Sequence, residues 1–246
     1  MKNVLILGAG SAIATETALL FAKNGASLYL IDINQGRLEA VKNHILSHYP
    51  STTIKLDILN VLHFDRYEPV FKRALEAFGT IDIALIAHGT LPNQEEVQHN
   101  VEETIKHINI NFTSVAGFIT ILANYFEKMG EGTIAVISSV AGDRGRQSNY
   151  IYGAAKGGVT KFLQGLRNRL SQKNIQVLTI KPGLVDTPMT AHLPKNPLYV
   201  KPDFVAKSII RAIEKKKDVI YVPEYWRLIM WVIIHIPEFI FKRLKL

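Results

Sequence analysis

The chain has 246 residues, 48% of them hydrophobic, and carries a formal charge of +8. A chain of that length buries about 70–75% of the surface it exposes when unfolded, so a single domain needs neither metal nor disulfide to hold its core. The absence of cysteine excludes disulfide frameworks, iron–sulfur and thiolate zinc sites and cysteine nucleophiles, and the eight histidines show no ligand spacing, so no metal is expected.

Met1-Lys2-Asn3 and the apolar residues 4–7, with Ala12-Ile13-Ala14 beyond, have the outline of a secretory signal. Four apolar residues are too few for its hydrophobic stretch, and a buried strand entering a glycine turn fits the same letters. Short runs rich in Val, Ile and Leu recur at 28–31, 53–56, 81–86, 133–137, 177–180 and 219–222, and stretches with helical spacing lie between them at 15–24, 36–46, 70–78, 101–129, 152–172 and 202–216. Strands that are apolar on both faces and alternate with helices predict an α/β fold: a doubly wound parallel sheet of about seven strands covered on both sides. The sheet domain is expected over residues 1–222, with an apolar and basic helical extension over 223–246.

After the first run comes Gly8-Ala9-Gly10-Ser11-Ala12-Ile13-Ala14, opening a helix. A glycine turn lets the backbone approach a pyrophosphate, and the helix N-terminus supplies free N–H groups and a positive dipole end. Ala12 and Ala14 stand where further glycines are usual. The second run ends at Asp32, where a carboxylate can accept from both hydroxyls of an adenosine ribose. It would repel a 2′-phosphate. The next residue is Ile33 and the turn offers Ser11, so no cation is expected for that phosphate, and NAD(H) is expected rather than NADP(H).

The segment from 137 to 158 contains Ser139, then Tyr152, then Lys156 four residues later on one helix face. A tyrosine is a poor base at neutral pH unless an ammonium favours its phenolate, and Lys156 is expected to supply that charge. Ser139 is expected to hydrogen-bond a carbonyl while Tyr152 moves the proton.

The glycine turn, Asp57-Ile58, Ala87-His88-Gly89, Asn111, Ser139, the Tyr152 to Lys156 motif and Pro182-Gly183-Leu184-Val185-Asp186-Thr187-Pro188 together resemble the short-chain dehydrogenase/reductase family, over roughly residues 2–222. The resemblance implies a Rossmann-type fold and an NAD(P)-dependent oxidoreductase acting on CH–OH groups. It implies Tyr152 as acid/base, Lys156 holding the nicotinamide ribose and tuning the tyrosine, Ser139 polarising the carbonyl, and Asn111 holding a proton-relaying water. Gly8, Ser11, Ala12, Ile13, Asp32, Ala87, Gly89, Pro182 and Gly183 would frame the cofactor, Asp57 and Ile58 the adenine, and Val185 and Thr187 the carboxamide. Pairing through the helices that contain Asn111 and Tyr152 implies a homodimer or homotetramer. His88 departs from the family's Asn-Ala-Gly and reads as a filler near the adenosine site.

Residues 223–246 contain both tryptophans and are interrupted by Arg227, His235, Pro237 and Glu238, so no window is long and clean enough to span a membrane. An apolar helix with interfacial aromatics and a basic end predicts peripheral membrane contact through 224–246 at the cytoplasmic face, with capping of the core or of an oligomer as the alternative. Gly142-Asp143-Arg144 onwards, residues 187–193, His235-Ile236-Pro237 and Phe241-Lys242-Arg243-Leu244 resemble the members of the family that reduce a polyprenyl-phosphate-linked 2-keto pentose with NADH beside a partner oxidase. That resemblance implies a lipid-linked ketone substrate and makes Arg144 and Arg146 its tentative contacts. The alternatives are another hydrophobic ketone or alcohol (sterol, retinoid or acyl chain) and a non-catalytic dinucleotide-binding scaffold. Residues 1–141 hold 10 basic and 14 acidic side chains, residues 142–246 hold 19 and 7. The positive charge thus belongs to the half with the tail, which favours an anionic lipid over nucleic acid.

Overall fold

In the computed structural model, which describes residues 2–244, the apolar runs form seven parallel strands: β1 (Asn3–Leu7), β2 (Ser27–Asp32), β3 (Ile54–Ile58), β4 (Ile83–Ile86), β5 (Glu131–Ile137), β6 (Asn174–Pro182) and β7 (Val219–Val222). Their order in the sheet is β3-β2-β1-β4-β5-β6-β7. Winding proceeds outward from β1 in one direction and from β4 in the other, so the crevice beyond their carboxyl ends is where a ligand has room.

Successive side chains leave a strand on opposite faces, and both faces are covered. Leu5 and Leu7 of β1, with Ala84 and Ile86 of β4, meet α3 (Tyr67–Phe78), α6 (Ser114–Met129) and α7 (Tyr150–Leu170). Val4, Ile6, Ile83 and Leu85 meet α1 (Ala12–Lys23), α2 (Gln35–His48) and α8 (Pro202–Glu214). Double coverage explains why these strands read as continuous apolar runs.

The structure departs from the sequence reading in two places. The helix expected over 101–129 is preceded by a short α4 (Gln94–Val97) and is itself broken into α5 (Val101–Ile108), a π turn at Asn109–Thr113, and α6. The tail forms α9 (Trp226–His235) and α10 (Glu238–Phe241), separated at Ile236-Pro237, because proline disfavours helical backbone in the residue before it. Trp226 and Met230 are buried against Val140, with Leu184, Tyr221, Ile229 and Ile233 around them, so one side of α9 docks on the sheet domain.

Phe118 of α6 is fully buried and meets Tyr67 edge to face at 5.4 Å. Phe118→Ala is expected to lower stability by about 3–5 kcal/mol in urea unfolding, the range for removing a buried aromatic ring.

Candidate active site

The carboxyl end of β5 delivers Ser139, and the first two turns of α7 deliver Tyr152 and Lys156. Two hydrogen bonds pin strand to helix: Ser138 Oγ donates to the Lys156 carbonyl at 3.0 Å, and Lys156 Nζ donates to the Ile137 carbonyl at 2.9 Å. Lys156 Nζ also stands 5.8 Å from the centre of the Tyr152 ring. The Ser139 hydroxyl accepts from Ala141 N at 3.1 Å, capping a short turn at Val140–Gly142.

The electrostatics differ from the expectation. Burial pushes the Tyr152 phenol up to about 12, and the opposing Ser139 hydrogen bond does not offset it. Burial also pushes Lys156 down to about 8. Lys156 is 3% exposed, so its lowered value has the same cause, loss of water around the charged form. Tyr152 is therefore a protonated acid at neutral pH, able to donate to a carbonyl oxygen that Ser139 also binds.

Asn111 lies in the π turn and is fully buried. Its Oδ1 accepts from Thr90 N at 2.9 Å, and its Nδ2 donates to the Thr90 and His107 carbonyls, each at 3.0 Å. The amide is thus committed to fastening the loop after β4. Gly89 separates it from the lysine: a Cβ there would lie 2.8 Å from Asn111 Oδ1 and 3.4 Å from Lys156 Nζ.

Beyond β1 and β4 lies a cleft of about 230 Å³ lined by Gly8, Ser11, Asp32, Arg37, Asn60 and Ala87 to Thr90, among others. Gly8 has φ +83° and a Cβ on it would stand 2.5 Å from the His88 nitrogen, so only glycine makes this turn. Ser11 caps α1 by accepting from Ala14 N at 3.4 Å, leaving Ala12 and Ile13 at the free N-terminus, and no acidic residue offsets the dipole in that first turn. These features fit the pyrophosphate of a dinucleotide. The Asp32 carboxylate accepts from Gly10 N at 3.0 Å and Asn34 N at 3.1 Å.

Several expected residues are placed differently. A cation does stand at the ribose end: Arg37 Nη2 is 3.4 Å from Asp32 Oδ1, because the first turn of α2 folds back over the end of β2. Asp57 accepts from Arg73 at 2.9 and 3.0 Å and from the Tyr29 hydroxyl at 2.8 Å. It is turned from the cleft, as is the exposed Ile58; Leu59, Asn60 and Val61 form that wall. Pro182 ends β6 and Gly183 lies against the Trp226 indole. Val185 is buried and bridges to Val200, and Thr187 precedes the turn Pro188–Thr190.

Arg144 and Arg146, the tentative substrate contacts, both reach the tail. Arg144 donates to the carbonyls of Ile233, Ile234 and Ile236 at 2.7, 3.0 and 2.6 Å and to Glu238 at 2.9 Å, with its guanidinium 3.7 Å above the Phe241 ring. It thereby caps the C-terminus of α9. Arg146 Nη2 lies 3.3 Å from Met230 Sδ. Sequence reading also missed the buried cluster beside them, in which Asp143 accepts from Lys181 at 2.5 Å and from Tyr221 at 2.8 Å. Its three members are distant in sequence, and no local spacing marks them.

Residues 2–198 match the short chain dehydrogenase family, and the chain belongs to it. It is an oxidoreductase of that family, acting on CH–OH groups. An uncharacterised oxidoreductase of Mycobacterium tuberculosis is 28% identical over 241 residues, covering 98% of this chain and 96% of that one. The 3-oxoacyl-(acyl-carrier-protein) reductase FabG of Thermotoga maritima is 30% identical over 222 residues, covering 85% and 89%. A solved short-chain dehydrogenase from Sphingobium yanoikuyae, in complex with NADPH, superposes with a TM-score of 0.82 at 23% identity over 97% of each chain.

His88 Nε2 is 2.8 Å from Ser114 Oγ, and the Ser114 hydroxyl donates to the Ile110 carbonyl at 2.6 Å, so Nε2 carries the proton and donates. Nδ1 is buried without a partner among the described residues. Burial, helped by the Lys156 charge, pushes His88 down to about 3, whereas an unfolded histidine takes its proton near 6.5. The stability of the neutral form is complete above pH 6.5 and is lost as pH falls from there towards 3. His88→Ala is expected to flatten this slope: between about pH 7 and about pH 5 the wild type should lose about 2 kcal/mol more than the variant in urea unfolding.

Proposed function

We propose that the chain uses NADH to reduce a ketone carried on a membrane-borne lipid, of the polyprenyl-phosphate 2-keto sugar type, to a secondary alcohol. The observation that carries the carbonyl chemistry is the grouping of Tyr152, Ser139 and Lys156 at the end of β5, where the Tyr152 phenol can give a carbonyl oxygen its proton and Ser139 can hydrogen-bond that oxygen. When bound, the nicotinamide supplies the hydride. Lys156, a buried ammonium that donates to the Ile137 carbonyl and lies near the Tyr152 ring, would hold the nicotinamide ribose, and Asp32 would accept from the adenosine ribose. The intact Ser139, Tyr152 and Lys156 set argues against a non-catalytic scaffold.

NADH is favoured over NADPH because Asp32 places a carboxylate where a 2′-phosphate would lie, and Arg37 tempers that bias. The lipid reading draws support from the tail. Arg144 ties the loop that follows Ser139 to α9, whose outer face exposes Leu228 (68%) and Trp231 (59%). No helix among the described residues is long and apolar enough to cross a membrane, so the contact proposed is peripheral, at the cytoplasmic face. The substrate reading includes a partner oxidase that makes the ketone. Exposed Val101 and Ile105 on α5 support self-association into a dimer or tetramer. Reduction of a 3-oxoacyl thioester is the second reading, favoured by the activity that the Thermotoga relative's name gives.

NADH oxidation with a polyprenylphosphoryl keto-pentose, compared with 3-oxoacyl thioesters and steroid ketones, separates these readings; turnover confined to the thioester would refute the sugar. Tyr152→Phe should lower kcat by about 10²- to 10⁴-fold while leaving NADH binding intact by fluorescence titration. Asp32→Ala should erode the NADH preference in kcat/KM, and Arg37→Ala should sharpen it by up to about fivefold. A wild type that prefers NADPH would overturn the ribose argument.

A further inference from the structure

The strand β7 ends the sheet, and beside it a groove of about 330 Å³ runs between α8, β7 and the start of α9. Four exposed cations rim it: Arg211 from α8, Lys215 at the cap that ends α8, Lys217 from the turn before β7, and Arg227 from α9. None of the four makes an ion pair among the described residues. Neighbouring cations do: Lys207 meets Asp203 at 2.8 Å and Arg167 meets Asp218 at 3.5 Å. A single carboxylate, Glu224, lines the groove.

The placement follows from the sequence. Ser208, Arg211 and Lys215 recur at helical spacing and form one stripe on α8. Lys217 precedes β7 and Arg227 follows it, so the two stand towards opposite ends of the groove that runs along the strand. Unpaired cations along one groove raise its positive potential and attract an anion. A second copy of this chain is a poor occupant, since two-fold pairing of this face would bring two net-positive surfaces together.

What adjoins the groove favours one class of anion. Arg227 belongs both to its rim and to the outer face of α9, where Leu228, Trp231, Val232 and Ile234 are exposed, followed by Phe239 and Ile240. Exposed Lys242 and Arg243 close the far end. An apolar band with an indole, bracketed by cations, matches a membrane interface, with acyl chains under the band and phosphates at its ends.

We propose that the groove takes the phosphate headgroup of an anionic membrane lipid whose acyl chains lie against the exposed face of α9 and α10. This rests on the peripheral membrane reading above and extends it to residues outside the tail.

The test is flotation of the full chain with vesicles of phosphatidylcholine alone and with about one third phosphatidylglycerol. The wild type should float with the anionic vesicles and far less with the neutral ones. Arg211→Glu with Lys215→Glu should lower partitioning onto anionic vesicles by more than about tenfold, from the roughly fivefold contributed by each surface cation. The milder Arg211→Gln with Lys215→Gln should lower it in the same direction and serves if the reversal disturbs the thermal midpoint. Leu228→Glu with Trp231→Glu should release the protein from both compositions. If the groove variants float as well as wild type while the tail variant does not, the groove proposal is overturned and the membrane reading stands. A wild type that floats with neither composition, or equally with both, overturns the groove, and the first of these overturns the membrane reading too. Full displacement by glycerol 1-phosphate at matched ionic strength would overturn the lipid as source and leave a soluble phosphate ester.

Discussion

The Ser138 hydroxyl holds the carbonyl of Lys156, and the Lys156 ammonium holds the carbonyl of Ile137, so strand β5 and helix α7 clasp each other through one residue. Every other part of the site depends on this reciprocal pair. It sets Ser139, the residue after the clasp on the strand, across from Tyr152, one helical turn before it on the helix. The clasp costs the burial of an ammonium that no carboxylate among the described residues neutralises, and burial lowers its pKa. A ligand that brings accepting hydroxyls to Lys156 recovers part of the lost solvation, which is how a desolvated lysine becomes a binding group.

Around the clasp the chain is braced by connections that bind loops to distant elements. Asn111 fastens the loop after β4 from the π turn between α5 and α6; the turn's altered spacing carries the amide onto both the His107 carbonyl and Thr90. Arg144 does the same for the loop after Ser139. It spends its guanidinium on the last carbonyls of α9 and on Phe241, so catalytic loop and tail hold each other in place. The buried Asp143–Lys181 pair, joined by the Tyr221 hydroxyl, anchors the base of that loop to β6 and β7. Whatever touches the tail therefore acts on a segment that begins within a few residues of Ser139.

Charge is distributed with the same division of labour. The nucleotide end sits in the acidic half, where Asp32 meets Gly10, Asn34 and Arg37. The cations without an ion pair among the described residues that rim the groove lie in the basic half, on α8, in the turn that follows it and on α9. One chain thus presents a cleft suited to a dinucleotide on one flank of the sheet and a basic, apolar surface on the other.

Much of this was legible in the letters. Strand order aside, the seven runs and their double-sided apolar character follow from composition and period, because a strand covered on both faces has no polar side to show. Glycine at position 8, tyrosine and lysine four apart and the serine thirteen residues before the tyrosine are local patterns whose chemistry is carried by residue type. What sequence could not show is where long side chains go once helices fold back. Arg37 reached Asp32, Asp57 turned to Arg73, Arg144 turned to the tail, and burial of Tyr152 left it a stronger holder of its proton than spacing implied. Residue identity by itself determined which groups were present and their intrinsic acidity. Only the tertiary structure decided their partners and their distance from water, because both depend on contacts between residues far apart in the chain.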